Sequence, residues 1–224
     1  MMADFSAQSM PDISSVGWSV VPTDAATPEA LAVEVERVAL TLGKIVPGRA
    51  WQRVERVVAN APERAAVGSL SSKFGLLPLP LHTDTAHWIT PCRFLVMACA
   101  LPGPVPTPTV LVNIESFNLS AEEISYCHSA VFLITNGKNS FYASVMASGR
   151  RFIRLDPGCM HPESRQARRV LDLFDAHQNR KQLYFHSWKP GEILVIDNWR
   201  VLHGRGDNRP TERGRILLRA MVIQ

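Results

Sequence analysis

The feature that most constrains the fold is a series of short β-like runs from Leu70 to the C-terminus. These runs alternate with turns rich in proline and glycine, at residues 94–101, 110–114, 131–135, 152–155, 182–185, 193–196 and 216–223. Two helical patterns interrupt them, one opened by the capping box Ser120-Ala121-Glu122-Glu123 and one over residues 163–178. Many short strands with a few helices outside them predict a mainly β fold with flanking helices (α+β), arranged as a sandwich or a jelly-roll barrel.

The N-terminal part of the chain has a different pattern. Thr27-Pro28-Glu29 combines an N-cap residue, a proline at the first helical position and an acid in the first turn, so a helix is predicted over residues 28–42. Residues up to about 20 are expected as a loosely docked lead-in, and residues 51–59 fit either a strand or a short helix. With 224 residues, we expect one domain over 1–224, with a core roughly over 70–224 and a helical lead-in over 20–60.

The composition is that of an ordinary globular protein, with 46% hydrophobic and 20% charged residues. The chain contains no run of eighteen apolar residues, so no transmembrane helix is predicted. Its first residues lack the basic and apolar segments of a secretory signal, and a cytoplasmic location is therefore expected. The four cysteines show no CxxC spacing, which favours reduced, buried thiols.

The net charge of +4 raises the possibility of a nucleic-acid partner, but its distribution argues against one. Only five of the 24 basic residues are lysines, and no long basic block or repeated aromatic-basic pattern occurs. Arginine is suited to holding small carboxylates or phosphates through bidentate pairs. For most of these arginines a solvated surface position is the better interpretation.

The strongest chemical motif is His82-Thr83-Asp84. On an extended segment, the imidazole and the carboxylate share one face and can chelate a single ion, although H-x-D alone more often marks a hydrogen-bonded surface pair. A third ligand is offered by His203, in the segment Asp197-Asn198-Trp199-Arg200-Val201-Leu202-His203-Gly204-Arg205, where the chain leaves a buried strand. Two histidines and one carboxylate leave one face of an octahedral metal open, as in non-haem Fe(II) oxygen chemistry. His82, Asp84 and His203 are therefore the predicted metal ligands and catalytic centre.

The other histidines lack a comparable context. His87 has odd parity relative to the motif, so it is interpreted as a residue of the pocket wall or the core. Satisfied structural roles are expected for His128, His161, His177 and His186. Cys159 and His161 form only a lone C-x-H, which falls short of a zinc signature.

The last predicted strand carries two arginines on one face. Arg215, Leu217 and Arg219 alternate with apolar residues, so both guanidinium groups are expected to point into the interior. A buried charge requires a partner, and a dicarboxylate ligand chelating the metal at one end would supply it at the other. A structural ion pair with Asp207 or Glu212 is the competing explanation.

These motifs, taken in order, resemble the TauD/TfdA branch of the clavaminate-synthase-like 2-oxoglutarate oxygenases. Further similarities are Leu79-Pro80-Leu81 before the first histidine and Trp188-Lys189-Pro190-Gly191-Glu192, which resembles the W-x-P-G-D turn before the distal one. The resemblance extends roughly from Ser71 to the C-terminus. It implies a double-stranded β-helix (jelly-roll) core, Fe(II), and 2-oxoglutarate as co-substrate.

The same resemblance implies the co-substrate site. In this family a threonine after the second strand and the first arginine of the last strand bind the C5 carboxylate of 2-oxoglutarate, which corresponds here to Thr109 and Arg215. Arg219 would face the same carboxylate or an anionic group of the prime substrate. The usual G-G-D-T reads Pro106-Thr107-Pro108-Thr109 in this chain, which leaves Thr107 as a rival.

The implied reaction hydroxylates a small molecule, or desaturates or cyclises it, while 2-oxoglutarate is oxidatively decarboxylated to succinate and CO2. Halogenases of this chemistry lose the carboxylate ligand, so Asp84 argues against halogenation. The candidate substrate residues are His87, Trp88, Arg205 and Arg219. The arginines favour an anionic or amino-acid-like substrate, whereas Trp88 could stack on an aromatic product of secondary metabolism. The taurine-binding residues expected before H-x-D are absent, which argues against a sulfonate.

Three other functions fit parts of the sequence. A jelly-roll small-molecule binder would keep the fold without turnover. A different cupin-like metalloenzyme, such as a zinc or manganese isomerase, would be indifferent to 2-oxoglutarate and leaves Arg215 and Arg219 unexplained. A basic nucleic-acid binder or demethylase would show steeply salt-dependent binding, and the low lysine content argues against it. The oligomeric state is not predicted.

Overall fold

The computed structural model describes residues 13–48, 51–65, 69–104, 107–135, 139–149, 151–180, 183–207 and 214–224. Its strands are β1 (Trp18–Pro22), β2 (Lys44–Val46), β3 (Glu55–Val58), β4 (Leu79–His82), β5 (Phe94–Leu101), β6 (Thr109–Asn113), β7 (Phe132–Thr135), β8 (Ser140–Ala143), β9 (Met160–Pro162), β10 (Tyr184–His186), β11 (Glu192–Asp197), β12 (Val201–Arg205) and β13 (Ile216–Ile223). Its α-helices are α1 (Pro28–Leu42), α2 (Leu70–Phe74), α3 (Ala121–Ser129) and α4 (Arg165–Arg180).

Two antiparallel sheets face each other. The major sheet has the strand order β1-β11-β5-β13-β2, with β3 also paired to β13, and the minor sheet has the order β10-β6-β12-β4. Between them lies an apolar layer to which the major sheet contributes Leu95, Leu194, Leu217 and Met221 and the minor sheet contributes Leu111. Removing each of these side chains from water contributes roughly 1.5–3 kcal/mol to stability. The fold class predicted from the sequence, a mainly β jelly roll with flanking helices, is confirmed.

Helix α1 covers the outer face of the major sheet and has the predicted bounds. Thr27 caps it by accepting a hydrogen bond from the amide of Ala30 at 3.2 Å, and Pro28 occupies its first turn. Its buried stripe, which includes Val35 and Val38, packs on outward-facing residues of the sheet such as Leu218. The spacing of the apolar residues therefore decides both the helical structure and the face that is buried.

The outer face of the minor sheet is covered by α3, α4 and the small sheet β8-β7-β9. Helix α3 begins with the predicted capping box, in which Ser120 and Glu123 hydrogen-bond each other's backbone amides. Phe132 of β7 and Phe174 of α4 are fully buried in the resulting cluster. This cluster lies on the outer face of the minor sheet. The candidate site lies on the other side of that sheet, in the interior between the two sheets.

Some sequence predictions differ from the structure. Residues 152–155 were predicted as a strand, but they form only an isolated bridge between Met146 and Ile153, because their backbone groups bond to Thr83 instead. The lead-in expected up to about residue 20 is wrong for residues 18–20, because they belong to β1, which pairs with β11 over five residues. The undecided segment 51–59 contains the strand β3, and the region predicted as a helical lead-in thus also supplies strands to the major sheet.

Two composition-based predictions can be compared with the structure. None of the described helices combines the length and the apolar character needed to cross a membrane. All four cysteines are buried free thiols, as predicted. Burial raises the pKa of Cys92 to about 12 and that of Cys127 to about 11, so both thiols stay protonated and unreactive near neutral pH.

Candidate metal centre and its surroundings

The three predicted ligands lie close together where β4 and β12 pair in the minor sheet. His82 closes β4 and is the direct cross-strand partner of His203 on β12, so their rings lie 4.5 Å apart between centroids. Asp84 follows two residues after His82, and one donor atom from each of the three side chains lies within 4.8 Å of the others. All three lie in the interior, with side-chain exposures of 9%, 15% and 7%.

The two imidazoles present their Nε2 atoms to the aspartate. His82 donates from Nδ1 to the carbonyl of Pro80 at 2.9 Å, which leaves the lone pair of Nε2 available. The distance from His82 Nε2 to Asp84 Oδ1 is 3.6 Å, and the distance from His203 Nε2 to Asp84 Oδ2 is 3.9 Å. These separations leave room for an ion between three donors, at the distances that transition metals take from nitrogen and oxygen.

The loop after His82, rather than a continuing strand, brings Asp84 into place. The strand ends at His82, and Thr85 takes a left-handed conformation with φ 55°. Asn198 fixes the loop: its Oδ1 accepts from the amide of Asp84 at 2.9 Å, and its Nδ2 donates to the carbonyls of Asp84 and Cys92. Asn198 is thus a positioning residue that the sequence left without a role, although it lies in the quoted segment around His203.

The electrostatics of the cluster favour an ionised carboxylate at Asp84 and a neutral imidazole at His203. Burial raises the pKa of Asp84, but the charge of Arg219 and the hydrogen bond to His82 outweigh it and hold the pKa well below its usual range. Burial and the neighbouring His82 lower the pKa of His203 to about 3. Burial also lowers the pKa of His82, but the hydrogen bond and the charge of Asp84 raise it by more. Carboxylate and neutral imidazole are the forms that bind metals.

Arg219 lies beside the metal ligands and contacts two carboxylates of the protein. Its Nη1 donates to Asp84 Oδ2 at 2.7 Å, and its Nη2 donates to Glu55 Oε2 at 2.8 Å. Glu55 lies on β3 directly opposite Arg219 on β13 and was not identified from the sequence. The inward orientation predicted for Arg219 agrees with these contacts, while its predicted role towards 2-oxoglutarate or substrate stays a prediction.

Arg215 lies four residues before Arg219 in the sequence, at a small cleft. Its Nη1 donates to the carbonyl of Thr107 at 2.8 Å, and the cleft is lined by Pro102, Thr107, Pro108, Ser187, Trp188 and Arg215. The hydroxyl of Thr107 is buried and has no hydrogen-bond partner among the described residues. The hydroxyl of Thr109 accepts from Trp188 Nε1 at 3.1 Å. Of the two threonines, Thr107 is therefore the one whose hydroxyl lacks a described protein partner.

Two of the four candidate substrate residues lie in the loop that follows Asp84. His87 and Trp88 are in this loop, with their rings in an edge-on contact at 6.1 Å. Buried Arg154 fastens the loop by donating to the carbonyls of Ala86, Trp88 and Ile89, a contact that the sequence did not reveal. The loop is thus anchored on the same segment, 153–155, that also binds the backbone of Thr83.

Arg205 lies on β12 and is also buried. It donates to the carbonyls of Gly75 and Leu77, so it fastens the segment between α2 and β4. A direct contact between Arg205 and a substrate stays a prediction.

The remaining histidines have partners outside the metal cluster. His128 bonds the carbonyl of Met146, His161 bonds the hydroxyl of Thr135, His177 bonds Glu123, and His186 packs against Trp188. The satisfied structural roles expected for His128, His161 and His177 agree with these contacts, whereas the buried Nε2 of His186 has no hydrogen-bond partner among the described residues.

Residues 115–221 match the family model described as "Taurine catabolism dioxygenase TauD, TfdA family". The matched segment contains His203, Arg205, Arg215 and Arg219, whereas His82 and Asp84 precede it. The match confirms the family resemblance inferred from the sequence. A search of curated protein sequences returned no match.

Several solved structures share the fold. Asparagine oxygenase in complex with Fe(II), 2S,3S-3-hydroxyasparagine and succinate has a TM-score of 0.75 and 19% identity, covering 95% of this chain and 76% of its own. The non-heme iron oxygenase OrfP in complex with Fe and alpha-ketoglutaric acid has a TM-score of 0.70 and 20% identity, covering 93% and 75%. OrfP with Fe, succinate and (3S)-hydroxy-L-Arg has a TM-score of 0.70 and 17% identity, covering 93% and 77%. At this identity the likeness shows a common fold.

Proposed function

We propose that this chain, which matches the TauD/TfdA family over residues 115–221, is an Fe(II)- and 2-oxoglutarate-dependent dioxygenase. Its reaction hydroxylates, desaturates or cyclises a small molecule and is coupled to the oxidative decarboxylation of 2-oxoglutarate to succinate and CO2. The observation that carries the proposal is the buried cluster of His82, Asp84 and His203 in the interior of a jelly roll.

The donor set fits Fe(II). The imidazole nitrogens of His82 and His203 and a carboxylate oxygen of Asp84 would hold the iron and would leave coordination positions for co-substrate and oxygen. When bound there, the iron supplies the activation of O2, driven by the electrons released as 2-oxoglutarate is decarboxylated. Asp84 completes the ligand set, and its carboxylate argues for oxygen insertion rather than halogenation.

The protein's own contribution is to hold the ligands rigidly and keep the site dry. The carbonyl of Pro80 fixes the ring of His82, and the side chain of Asn198 fixes the backbone of Asp84. The ligand side chains are at least 85% buried, so water is largely excluded from them. Water exclusion strengthens the electrostatic interactions within the site and limits side reactions.

The cleft at Arg215 is the proposed site for the distal carboxylate of 2-oxoglutarate. Arg215 provides a guanidinium suited to bidentate pairing with a carboxylate. The buried hydroxyl of Thr107 supports this threonine as the second contact, because a donor without a protein partner gains a hydrogen bond when the ligand binds. Thr109 acts in this proposal through Trp188, which lines the same cleft.

The proposed prime substrate is an anionic or amino-acid-like small molecule. The solved structures with the same fold hold hydroxylated asparagine or arginine, which supports this class. His87 and Trp88 lie on the loop after Asp84 and are the proposed contacts, with Arg219 at the metal end. O2 is the second co-substrate, and the expected cytoplasmic location stays a prediction.

A single oxygenase domain over residues 1–224 is part of the proposal. Strands β1, β2 and β3 pair with strands of the major sheet, and α1 packs on its outer face. These contacts support the proposal that the N-terminal elements and the candidate site belong to one folded unit.

The test is an Fe(II)-dependent succinate assay with 2-oxoglutarate and a panel of amino acids and other small metabolites. We expect wild-type protein to form more succinate with at least one compound than it forms without any. His82→Ala and Asp84→Ala should reduce succinate formation to background. Their circular dichroism spectra should match the wild-type spectrum. His161→Ala, which removes a histidine outside the cluster, should keep full activity. Wild-type turnover in either ligand variant would contradict the proposed centre. Metal binding without succinate formation on any compound would favour a binding protein or another metalloenzyme.

A further inference from the structure

A buried glutamate of the N-terminal region reaches the metal cluster through an arginine. Glu55 on β3 is the cross-strand partner of Arg219 on β13, and its Oε2 accepts from Arg219 Nη2 at 2.8 Å. The other terminal nitrogen of Arg219 donates to Asp84 Oδ2 at 2.7 Å. The three side chains therefore form one charge-assisted chain from the N-terminal strand to a metal ligand, with side-chain exposures of only 12%, 23% and 15%.

We propose that Glu55 is a positioning residue, which aims Arg219 at one oxygen of Asp84 and thereby leaves the other oxygen to the metal. The inference rests on the proposed function, because it takes His82, Asp84 and His203 as the metal ligands. Asp84 Oδ2 accepts from Arg219 and lies 3.9 Å from His203 Nε2, whereas Oδ1 lies 3.6 Å from His82 Nε2.

The number of carboxylate oxygens on the metal matters for this chemistry. A carboxylate can bind an ion through one oxygen or through both, and binding through both occupies an additional coordination position. The facial arrangement requires open positions for co-substrate and oxygen. With Oδ2 accepting from Arg219, Asp84 would hold the metal through Oδ1, because the hydrogen bond makes Oδ2 the weaker donor to a metal.

Arg219 cannot hold this position well by itself. A lone guanidinium beside a divalent ion is repelled by it, and its long side chain has several accessible rotamers. The carboxylate of Glu55 neutralises that charge and fixes the second arm of the fork. Glu55 thus has an electrostatic and a geometric effect, and a test must separate the two.

Gly48 provides the variant that separates them. A Cβ added at Gly48 would lie 1.5 Å from Glu55 Oε1 and 1.9 Å from its Cδ, so an alanine there must displace the glutamate carboxylate. Gly48→Ala therefore keeps the charge of Glu55 and changes its position. Glu55→Gln does the reverse, since its amide oxygen still accepts from Arg219 while the charge is lost.

The experiment titrates metal-free protein with Co(II), whose visible absorption reports the number and geometry of its ligands. We expect Glu55→Ala and Gly48→Ala to weaken Co(II) binding by about 10- to 100-fold, as for other residues that orient metal ligands, and to change the spectrum. Glu55→Gln should keep the wild-type spectrum and bind within about threefold of wild type. Glu36→Ala, which breaks an exposed ion pair with Arg53 in the same region, is the matched control and should match wild type.

Two outcomes would overturn the positioning role. Wild-type spectra in Glu55→Ala and Gly48→Ala would show that Asp84 needs no support, and an equal loss in Glu55→Gln and Glu55→Ala would reduce the effect to charge. If Glu55→Ala does not fold, as seen in its denaturation midpoint, Gly48→Ala and Glu55→Gln decide the question. A wild-type protein that binds Co(II) but forms no succinate contradicts the proposed function and leaves the positioning role standing, whereas one that binds no Co(II) contradicts both.

Discussion

Arg215, directly before β13, and Arg219, within β13, point into the same interior but lie in different surroundings. Arg219 lies between two carboxylates, those of Asp84 and Glu55, beside the metal cluster. Arg215 lies at a cleft, where it donates to the backbone carbonyl of Thr107 beside a buried hydroxyl. Their Cα atoms are four residues apart, or roughly 13 Å along a strand.

This difference distinguishes a guanidinium paired with carboxylates of the protein from one that is proposed to bind the co-substrate. Arg219 forms ion pairs with two carboxylates of the protein itself, so its main effect is on the stability of the site and on the position of Asp84. Arg215 lines a small cleft, which is the proposed site for the distal carboxylate of 2-oxoglutarate. Variants at the two positions should therefore affect different measurements.

The largest expected effect is on the stability of Arg219→Ala. The substitution leaves the buried carboxylates of Asp84 and Glu55 without the arginine that contacts both, and breaking a buried ion pair in this way costs about 3–5 kcal/mol. Burial raises the pKa of Asp84 but the charge of Arg219 lowers it overall, so this stabilisation is present above the ordinary pKa of about 4 and is lost as the pH falls below it. Urea denaturation of the metal-free proteins at pH 7 should show a large difference in the free energy of unfolding between Arg219→Ala and wild type. At pH 3.5 this difference should be smaller.

The control for Arg219 is an exposed arginine. Arg37 pairs with Glu34 at 2.7 Å on the surface of α1, and Arg37→Ala should change the free energy of unfolding by less than about 1 kcal/mol. If Arg219→Ala is no more destabilising than Arg37→Ala, then Arg219 does not stabilise the site through its two carboxylate partners, and the contrast drawn with Arg215 fails.

The next largest effect is expected for Arg215→Ala, on the requirement for 2-oxoglutarate. Loss of one charge-assisted, bidentate contact costs on the order of 1.5–3 kcal/mol, or about 10- to 100-fold in apparent affinity. Succinate formation at increasing concentrations of 2-oxoglutarate measures this change. The Co(II) titration should stay close to wild type, because the described contact of Arg215 is with the carbonyl of Thr107 and not with the side chain of a metal ligand.

Arg215→Lys sharpens the assignment. Lysine keeps the charge but lacks the planar fork, so it should restore part of the affinity and not all of it. An unchanged requirement for 2-oxoglutarate in Arg215→Ala would move the carboxylate site to Arg219, and the two arginines would exchange their proposed roles.

The sequence predicted those parts of the site that follow a local pattern. The alternation of β13 was sufficient to place both arginines on the inner face, and the context of a buried strand singled out His203 among seven histidines. The motif His82-Thr83-Asp84 was also found by spacing, although Asp84 is placed by a turn and by Asn198 rather than by an extended strand. Local periodicity therefore identified the metal ligands better than it explained their geometry.

The supporting residues could not be predicted in this way. Glu55 contacts Arg219 across 164 positions, Asn198 contacts Asp84 across 114, and Arg154 contacts Trp88 across 66. A polar side chain with such a partner has no spacing to distinguish it from a surface residue, since its role depends on which strands become neighbours. The same limit applies to β1 and β2, which are five and three residues long and are identified only by their pairing.

The smallest expected effect distinguishes the two threonines near Arg215. Thr107→Val replaces a buried hydroxyl without a described partner by an isosteric methyl group, so the empty protein should be as stable as wild type or slightly more stable. If that hydroxyl donates to 2-oxoglutarate, the apparent affinity should fall by roughly threefold to tenfold, the value of one ordinary hydrogen bond. Thr109→Val instead removes the acceptor of Trp188 Nε1, so it should destabilise the protein by about 1 kcal/mol and affect 2-oxoglutarate less. The reverse ranking in a 2-oxoglutarate titration would assign the contact to Thr109, and equal stability of both variants would contradict the structural role given to its bond with Trp188.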